Sequence, residues 1–522
     1  HRGCATSRPD QKRHNRSLER LLREADLAQA LQGLLQPAAA QAPAADWRPL
    51  LFQQFHDILP GTSIPEVFEQ AEPQWRAARR QARQRRDQAL QALLPASADA
   101  WWLVQLQLQP PGPLTLRLPR GHWHLADAAA GLPTLLPQQP APGGGTWVQV
   151  LLPAGVAATA LLRGQRSGES GVDTAPVQQP VQFEPVAEGR WLLSNGLVRA
   201  ELGAGGVLQL WDRHGLPQLS APLAWCRWLD HGEFWDAWDL AADYRDKPLP
   251  LSWDAAPVLA EQGPLCTRLV WRGLCGASAL RLDVQLRAAT PWLELVLQVD
   301  WQQRHELLRL EVPLAQPACR YAADTPGGVL ERPAQPLHPR EQARWEVPAI
   351  SWIASQSAAG GGLALLLDGP QGVSAEADRL GVSLLRAPTW PDPSADQGLQ
   401  RLRLALMPCT EGWRQQAVPR QAQRLREPIW LRPAPSVRAG VATLSPSACW
   451  PALDLASDAL QLLHLQRLEG GAEARVVLQN LSPQRQPVRW PPGWLADAPN
   501  ELGPWQIGSW RLRCAATALQ SS

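Results

Sequence analysis

Two hydrophobic spacings divide the chain. Between residues 7 and 35 the apolar set Leu18, Leu21, Leu22, Ala25, Ala28 and Leu31 recurs at three and four residues, the period of a helix with one buried stripe. Residues 37–43 (PAAAQAP) interrupt it as a linker. Trp47, Leu50, Leu51 and Phe55 then repeat the spacing over a short helix that stops before Pro60-Gly61, a turn pair. A third helix is predicted to open at Ser63-Ile64-Pro65-Glu66. There Ser63 and Glu66 can cap each other's backbone N–H groups, and proline suits the first turn. It runs through Val67, Phe68, Ala71, Trp75, Ala78 and Ala82 to Leu94, before Pro95. Three helices therefore make a first domain over residues 1–95.

Beyond Ala100 the period falls to two. Residues 103–108 (LVQLQL) and 114–118 (LTLRL) alternate, and Gly143-Gly144-Gly145 precedes a strand-like run at 147–152 (WVQVLL). Residues 101–165 are read as a small β-domain and 166–180 as a polar connector. Asn195-Gly196, residues 197–202, Gly203 to Gly206 and residues 207–211 carry a hairpin signal. Residues 293–299 and 363–367 are continuous apolar runs of strand length, suited to a sheet covered on both faces. These patterns predict a large antiparallel β-sandwich over 188–430 and a further small β-domain over 431–522, entered through Pro433-Ala434-Pro435. The fold class is α+β multidomain, with no internal repeat.

Composition narrows the class. At 522 residues, 45% hydrophobic and 19% charged, the chain is a multidomain globular protein rather than a disordered one. Its net charge of +2 gives no field suited to holding a polyanion, so a nucleic-acid partner is not expected. The arginine run at 76–86 (RAARRQARQRR) is read as a solvated helix face, because its alanines fall at core spacing and no aromatics interleave it. No run of about 18 apolar residues would span a membrane. Eight cysteines without a CxxC pair are read as reduced, mostly buried thiols, which points to a cytoplasmic setting. The chain opens His1-Arg2-Gly3-Cys4 and its one methionine is Met407; it reads as a piece of a longer polypeptide.

Candidate chemistry concentrates at residues 53–62 (QQFHDILPGT). An imidazole, His56, stands beside a carboxylate, Asp57, at a helix end next to a tight turn and the start of another helix. Such a junction can hold a metal or a sugar. It can equally be a turn braced by its own polar side chains.

Residues 55–64 (FHDILPGTSI) resemble the FHDxxPGTS signature of glycoside hydrolase family 38 α-mannosidases. Residues 1–16 are similar to that family's HRGxYTSQxxxKxxNR segment, with Ala5 where an aromatic is usual. Residues 232–239 (GEFWDAWD) resemble its FWDAWD segment, and residues 384–393 (LLRAPTWPDP), followed by Ala395-Asp396-Gln397-Gly398, its LLRAPTYPDP segment. The matches follow the family's order over nearly the whole chain. The resemblance implies a three-helix middle domain, a galactose-mutarotase-like sandwich and small accessory β-domains. It implies zinc as cofactor with His56 as a ligand, Asp57 on substrate hydroxyls near the metal, and Arg386 facing the cleft. Trp235 and Asp236 would touch the sugar, or else pack an aromatic strand end on the helical domain.

The reaction so implied is hydrolysis of terminal α-D-mannosides with retention, zinc-assisted, using two carboxyl groups about 5 to 5.5 Å apart. In the family pattern the nucleophile, the acid/base and the other zinc ligands lie in an N-terminal catalytic domain upstream of the HRG segment. No catalytic carboxylate is therefore expected in this chain, the zinc site is expected to be incomplete, and the missing domain is an expected partner beside a mannose-containing oligosaccharide. The chain would be a fragment or a split gene product, inactive alone. A non-catalytic carbohydrate-binding or structural sandwich is the reading from another class.

Overall fold

The computed structural model describes residues 2–36, 43–97, 99–126, 134–164, 175–232, 234–436, 452–469, 473–497 and 499–514. Most of the 37–43 linker, much of the 166–180 connector, Glu233 and Cys449 lie outside these residues. The apolar spacings produce α1 (Pro9–Leu35), α2 (Arg48–Gln53) and α3 (Pro65–Leu93). Every predicted stripe residue of α1, from Leu18 to Leu31, is at most 2% exposed. On α3 the stripe Phe68, Ala71, Trp75, Ala78 and Ala82 is buried.

Helix α2 departs from the spacing argument. Leu50 is buried, yet Leu51 is 61% and Phe55 54% exposed. The helix has six residues, and the chain leaves it through successive turns before a second turn of stripe can form. The arginine run is also only partly solvated. Arg76, Arg80 and Arg83 are exposed, whereas Arg86 is buried and donates to Glu24 Oε2 at 2.5 Å. A buried guanidinium persists where a carboxylate meets it. The cysteines likewise divide: of the seven described, Cys266, Cys275 and Cys409 are buried and Cys319 is exposed. Burial pushes those three buried thiols up to about 12.

Contacts group the chain into two units, each discontinuous in sequence. The first gathers residues 1–15, 52–73 and 178–426; the second gathers 16–51, 74–177 and 427–522. In the first unit a four-stranded, a six-stranded and a ten-stranded antiparallel sheet enclose one apolar core. The predicted hairpin forms, with Arg199–Gly203 pairing both Arg190–Ser194 and Gly206–Trp211. The two continuous apolar runs become strands Leu293–Trp301 and Gly362–Asp368, which flank Gly398–Cys409 on either side. Leu293, Leu295, Leu297, Leu363, Leu365 and Leu367 are at most 1% exposed.

In the second unit Ala100–Gln105 pairs with Ala157–Gly164 on one edge and with Trp430–Pro433 on the other. A four-stranded sheet from Leu460–Arg467, Ala474–Asn480, Trp494–Ala496 and Ile507–Cys514 completes it. No described helix is long and apolar enough to cross a membrane.

Candidate functional site

His56 sits in the turns between α2 and α3. Ile58 and Leu59 N–H donate to Phe55 O, Gly61 N–H to Ile58 O and Thr62 N–H to Asp57 O at 3.0 Å. Gly61 has φ +83, and a Cβ there would lie 2.4 Å from the Arg8 Cβ and 2.8 Å from Ser7 O. Glycine is thus required both for the left-handed backbone and for the close approach. The His56 side chain is 78% exposed, with Nε2 3.4 Å from Asp57 Oδ2. Thr62 Oγ1 donates to Asp57 Oδ1 at 3.0 Å, so one carboxylate oxygen is fixed by the turn while the other faces the imidazole. The pair presents an exposed nitrogen and an exposed oxygen side by side.

A buried lysine fastens this turn to the start of the chain. Lys12 Nζ donates to Pro60 O at 2.7 Å and to Ser7 O. Burial pulls its ammonium down to about 8, since a charge loses hydration there. Ser7 Oγ donates to Ala237 O at 2.8 Å and accepts from Arg386 Nη1 at 3.2 Å. The same guanidinium donates from Nε to Asp230 Oδ2 at 2.9 Å and from Nη2 to Asp239 O at 2.8 Å. Arg386 is 0% exposed. Burial opposes its charge, but Asp230 at 2.8 Å holds it protonated. Gly3 is obligatory beside it, because a Cβ there would fall 2.2 Å from Arg386 Nη1. Arg386 therefore braces the segments around it, each of its nitrogens engaged by this chain.

Trp235 and Asp236 belong to the same knot. Asp236 Oδ2 accepts from the Thr389 and Trp390 N–H groups at 2.7 and 3.2 Å, and its Oδ1 is 4.0 Å from Arg386 Nη2. Ala237 N–H donates to Trp390 O. Asp396, buried, accepts from the N–H groups of Arg8, Arg386 and Ala387; burial raises its pKa. His305 Nε2 is 2.8 Å from Thr389 Oγ1. Among the described residues ten non-glycine positions have positive φ, and five of them, Arg8, Trp235, His305, Ala387 and Asp396, lie in this knot. Backbone held against its preference clusters where function demands a fixed geometry.

The structure thus brings Asp236, next to Trp235 in the chain, within 4.0 Å of Arg386, and links Arg386 to the His56 turn through Ser7, Lys12 and Pro60. Ser7, Lys12 and Asp396 fall in segments matched to the family without a site role, and Asp230 and His305 were not singled out. Lys12 is one of two lysines in the chain, a signal that was available; Asp230 carries no local mark.

Comparison with known proteins decides the family. Residues 193–394 match the glycosyl hydrolases family 38 C-terminal domain and residues 1–93 the alpha mannosidase middle domain. The chain belongs to glycoside hydrolase family 38. Within this family it is similar to alpha-mannosidase 2C1 of Homo sapiens, 28% identical over 503 residues, which covers 92% of this chain and 44% of that protein. The Mus musculus alpha-mannosidase 2C1 is 28% identical over the same shares of the two chains. The chain thus spans less than half the length of these relatives. Its fold matches the crystal structure of an alpha-mannosidase from Enterococcus faecalis V583, with TM-score 0.77 at 15% identity, covering 98% of this chain and 68% of that one.

The zinc that the resemblance implies meets only a partial donor set here. Among the described residues no group of three or more His, Cys, Asp or Glu could hold a metal ion. His56 and Asp57 offer at most two of the three protein ligands usual for catalytic zinc. These residues do not make a zinc site by themselves.

Proposed function

We propose that this chain supplies the middle and sandwich domains of an enzyme that removes terminal α-D-mannose from mannose-containing oligosaccharides with retention. The observation that carries this reading is the FHDILPGT turn, which displays His56 and Asp57 on a base tied through Lys12 and Ser7 to the buried Arg386 brace. In this reading His56 is one zinc ligand and Asp57 receives sugar hydroxyls. Trp235 and Asp236 lie on the substrate side, and Arg386 fixes the loops that carry them. The nucleophile, the acid/base and the remaining zinc ligands come from residues outside this chain, which is inactive without them.

The test is an aryl α-mannoside assay with added zinc, on the chain alone and joined to an upstream catalytic segment from its coding locus. Turnover is expected only in the joined enzyme, and His56→Ala should reduce it by at least about a hundredfold, the scale seen when support of a metal ligand set is lost. Robust turnover by the chain alone, or full activity of the joined His56→Ala enzyme, would overturn the assignment.

A further inference from the structure

The protein hides its tryptophans. Among the described residues only two of them, Trp235 and Trp390, are counted with the exposed large hydrophobics, at 62% and 51%. They touch each other, with ring centroids 5.9 Å apart and planes at 56°. Trp238 closes the group at 5.9 Å from Trp235 and 5.4 Å from Trp390. Two exposed indoles that fall together by accident, in a chain that buries or half-buries every other described one, would be a costly coincidence.

The loops beneath are rigid. Trp238 and Asp239 N–H groups donate to Trp235 O, and Ala237 N–H donates to Trp390 O. The half-buried Asp236 carboxylate ties down the Thr389 and Trp390 N–H groups. Trp235 itself is held at φ +55, a conformation a bulky residue adopts only where the surroundings impose it.

We propose that Trp235 and Trp390, with Trp238 at their edge, form a stacking platform for a pyranose ring of the oligosaccharide. The inference rests on the glycosidase reading of this site. An indole offers an apolar face and one N–H donor, which is the pairing a pyranose presents in its C–H face and hydroxyl rim. The rings meet at angles of 40° to 80°, so they make a corner that seats one ring rather than a flat surface. Asp236 is a positioning residue here: its carboxylate accepts from the Trp390 N–H.

The experiment is saturation-transfer NMR of the chain with α-linked mannobiose. Trp235→Ala and Trp390→Ala should each weaken apparent affinity about tenfold, the scale of one lost aromatic stack. Trp390→Phe should keep most of it. Asp236→Ala should weaken binding, and Asp236→Asn, which retains an acceptor oxygen, should restore it. Both tryptophans are exposed, so their variants should keep the wild-type unfolding midpoint. Absence of saturation transfer at millimolar mannobiose, or alanine variants that bind as wild type, would overturn the platform. The glycosidase reading fails on a separate result, the lack of α-mannosidase activity in the joined enzyme. Activity there with an unaltered KM for mannobiose in both alanine variants would remove the platform alone.

Discussion

The ten-stranded sheet and the knot around Arg386 belong to one unit, yet they are held by opposite means. In the sheet, Gly398–Cys409 lies between two apolar strands, and leucines at most 1% exposed do the packing. One of its buried acids, Glu294, meets two arginines: Arg403 Nε donates to Oε1 at 2.6 Å and Arg287 to Oε2. In the knot polar groups carry the ties between loops. A buried guanidinium, a buried ammonium and buried carboxylates instead draw together loops whose backbone is repeatedly left-handed. Regular pleated structure can be built from many interchangeable leucines. An irregular shape has to be specified by a few polar groups that fit only one way.

The largest break in this comparison is Arg386→Ala. It leaves Asp230 in the interior without its cation, and stability measured by urea denaturation should fall by about 3–5 kcal/mol. A loss under about 1 kcal/mol would mean that the knot is held by its backbone alone.

The second concerns acid, where the two regions should respond with opposite sign. Burial alone would raise the Glu294 carboxyl, but Arg287 and Arg403 outweigh it and hold the group at about 2. A depressed carboxylate contributes stability above its unfolded value near 4.5, and that contribution is lost as pH falls toward 2. Its full size is about 3 kcal/mol. Asp396 in the knot is shifted upward by burial, so its protonated form is favoured on folding and its contribution runs the other way. Glu294→Gln should flatten the fall of the thermal midpoint between pH 4.5 and 2; an unchanged slope would assign acid lability elsewhere.

The smallest effect sharpens the contrast. Trp235→Gly should raise stability by about 1 kcal/mol, because glycine adopts φ +55 without the strain a side chain incurs. The same change should weaken mannobiose binding. Stability measured by thermal unfolding and binding by NMR would then move in opposite directions; a destabilised variant would show that Trp235 packs more than it strains.

What could be read in advance follows the same division. The α1 stripe, the Asn195-Gly196 hairpin and the two apolar strand runs were legible because their determinants are neighbours in sequence. Helix α2 misled because Leu51 and Phe55 fit a buried stripe by spacing, while their exposure depends on where the chain turns next. The site was legible as a motif and not as a geometry. Arg386 could be named, but its partner Asp230 is 156 residues away and nothing near either residue announces the pairing. Trp390 lies in the 384–393 segment read as a family match, but its contact with Trp235 appears only in the fold. Charges and aromatics that meet across loops leave no periodic trace.

The pairing of Trp430–Pro433 with Ala100–Gln105 carries a consequence for the order of events on the ribosome. At roughly 5–20 residues per second, the earlier strand leaves the exit tunnel tens of seconds before its neighbour is made. During that interval one row of its N–H and C=O groups has no strand beside it, a template for joining another nascent chain. Residues 178–426 of the sandwich unit are translated in the gap and can complete its sheets first. Synthesis that stalls between residues 426 and 430 would therefore release a finished sandwich attached to an open-edged sheet.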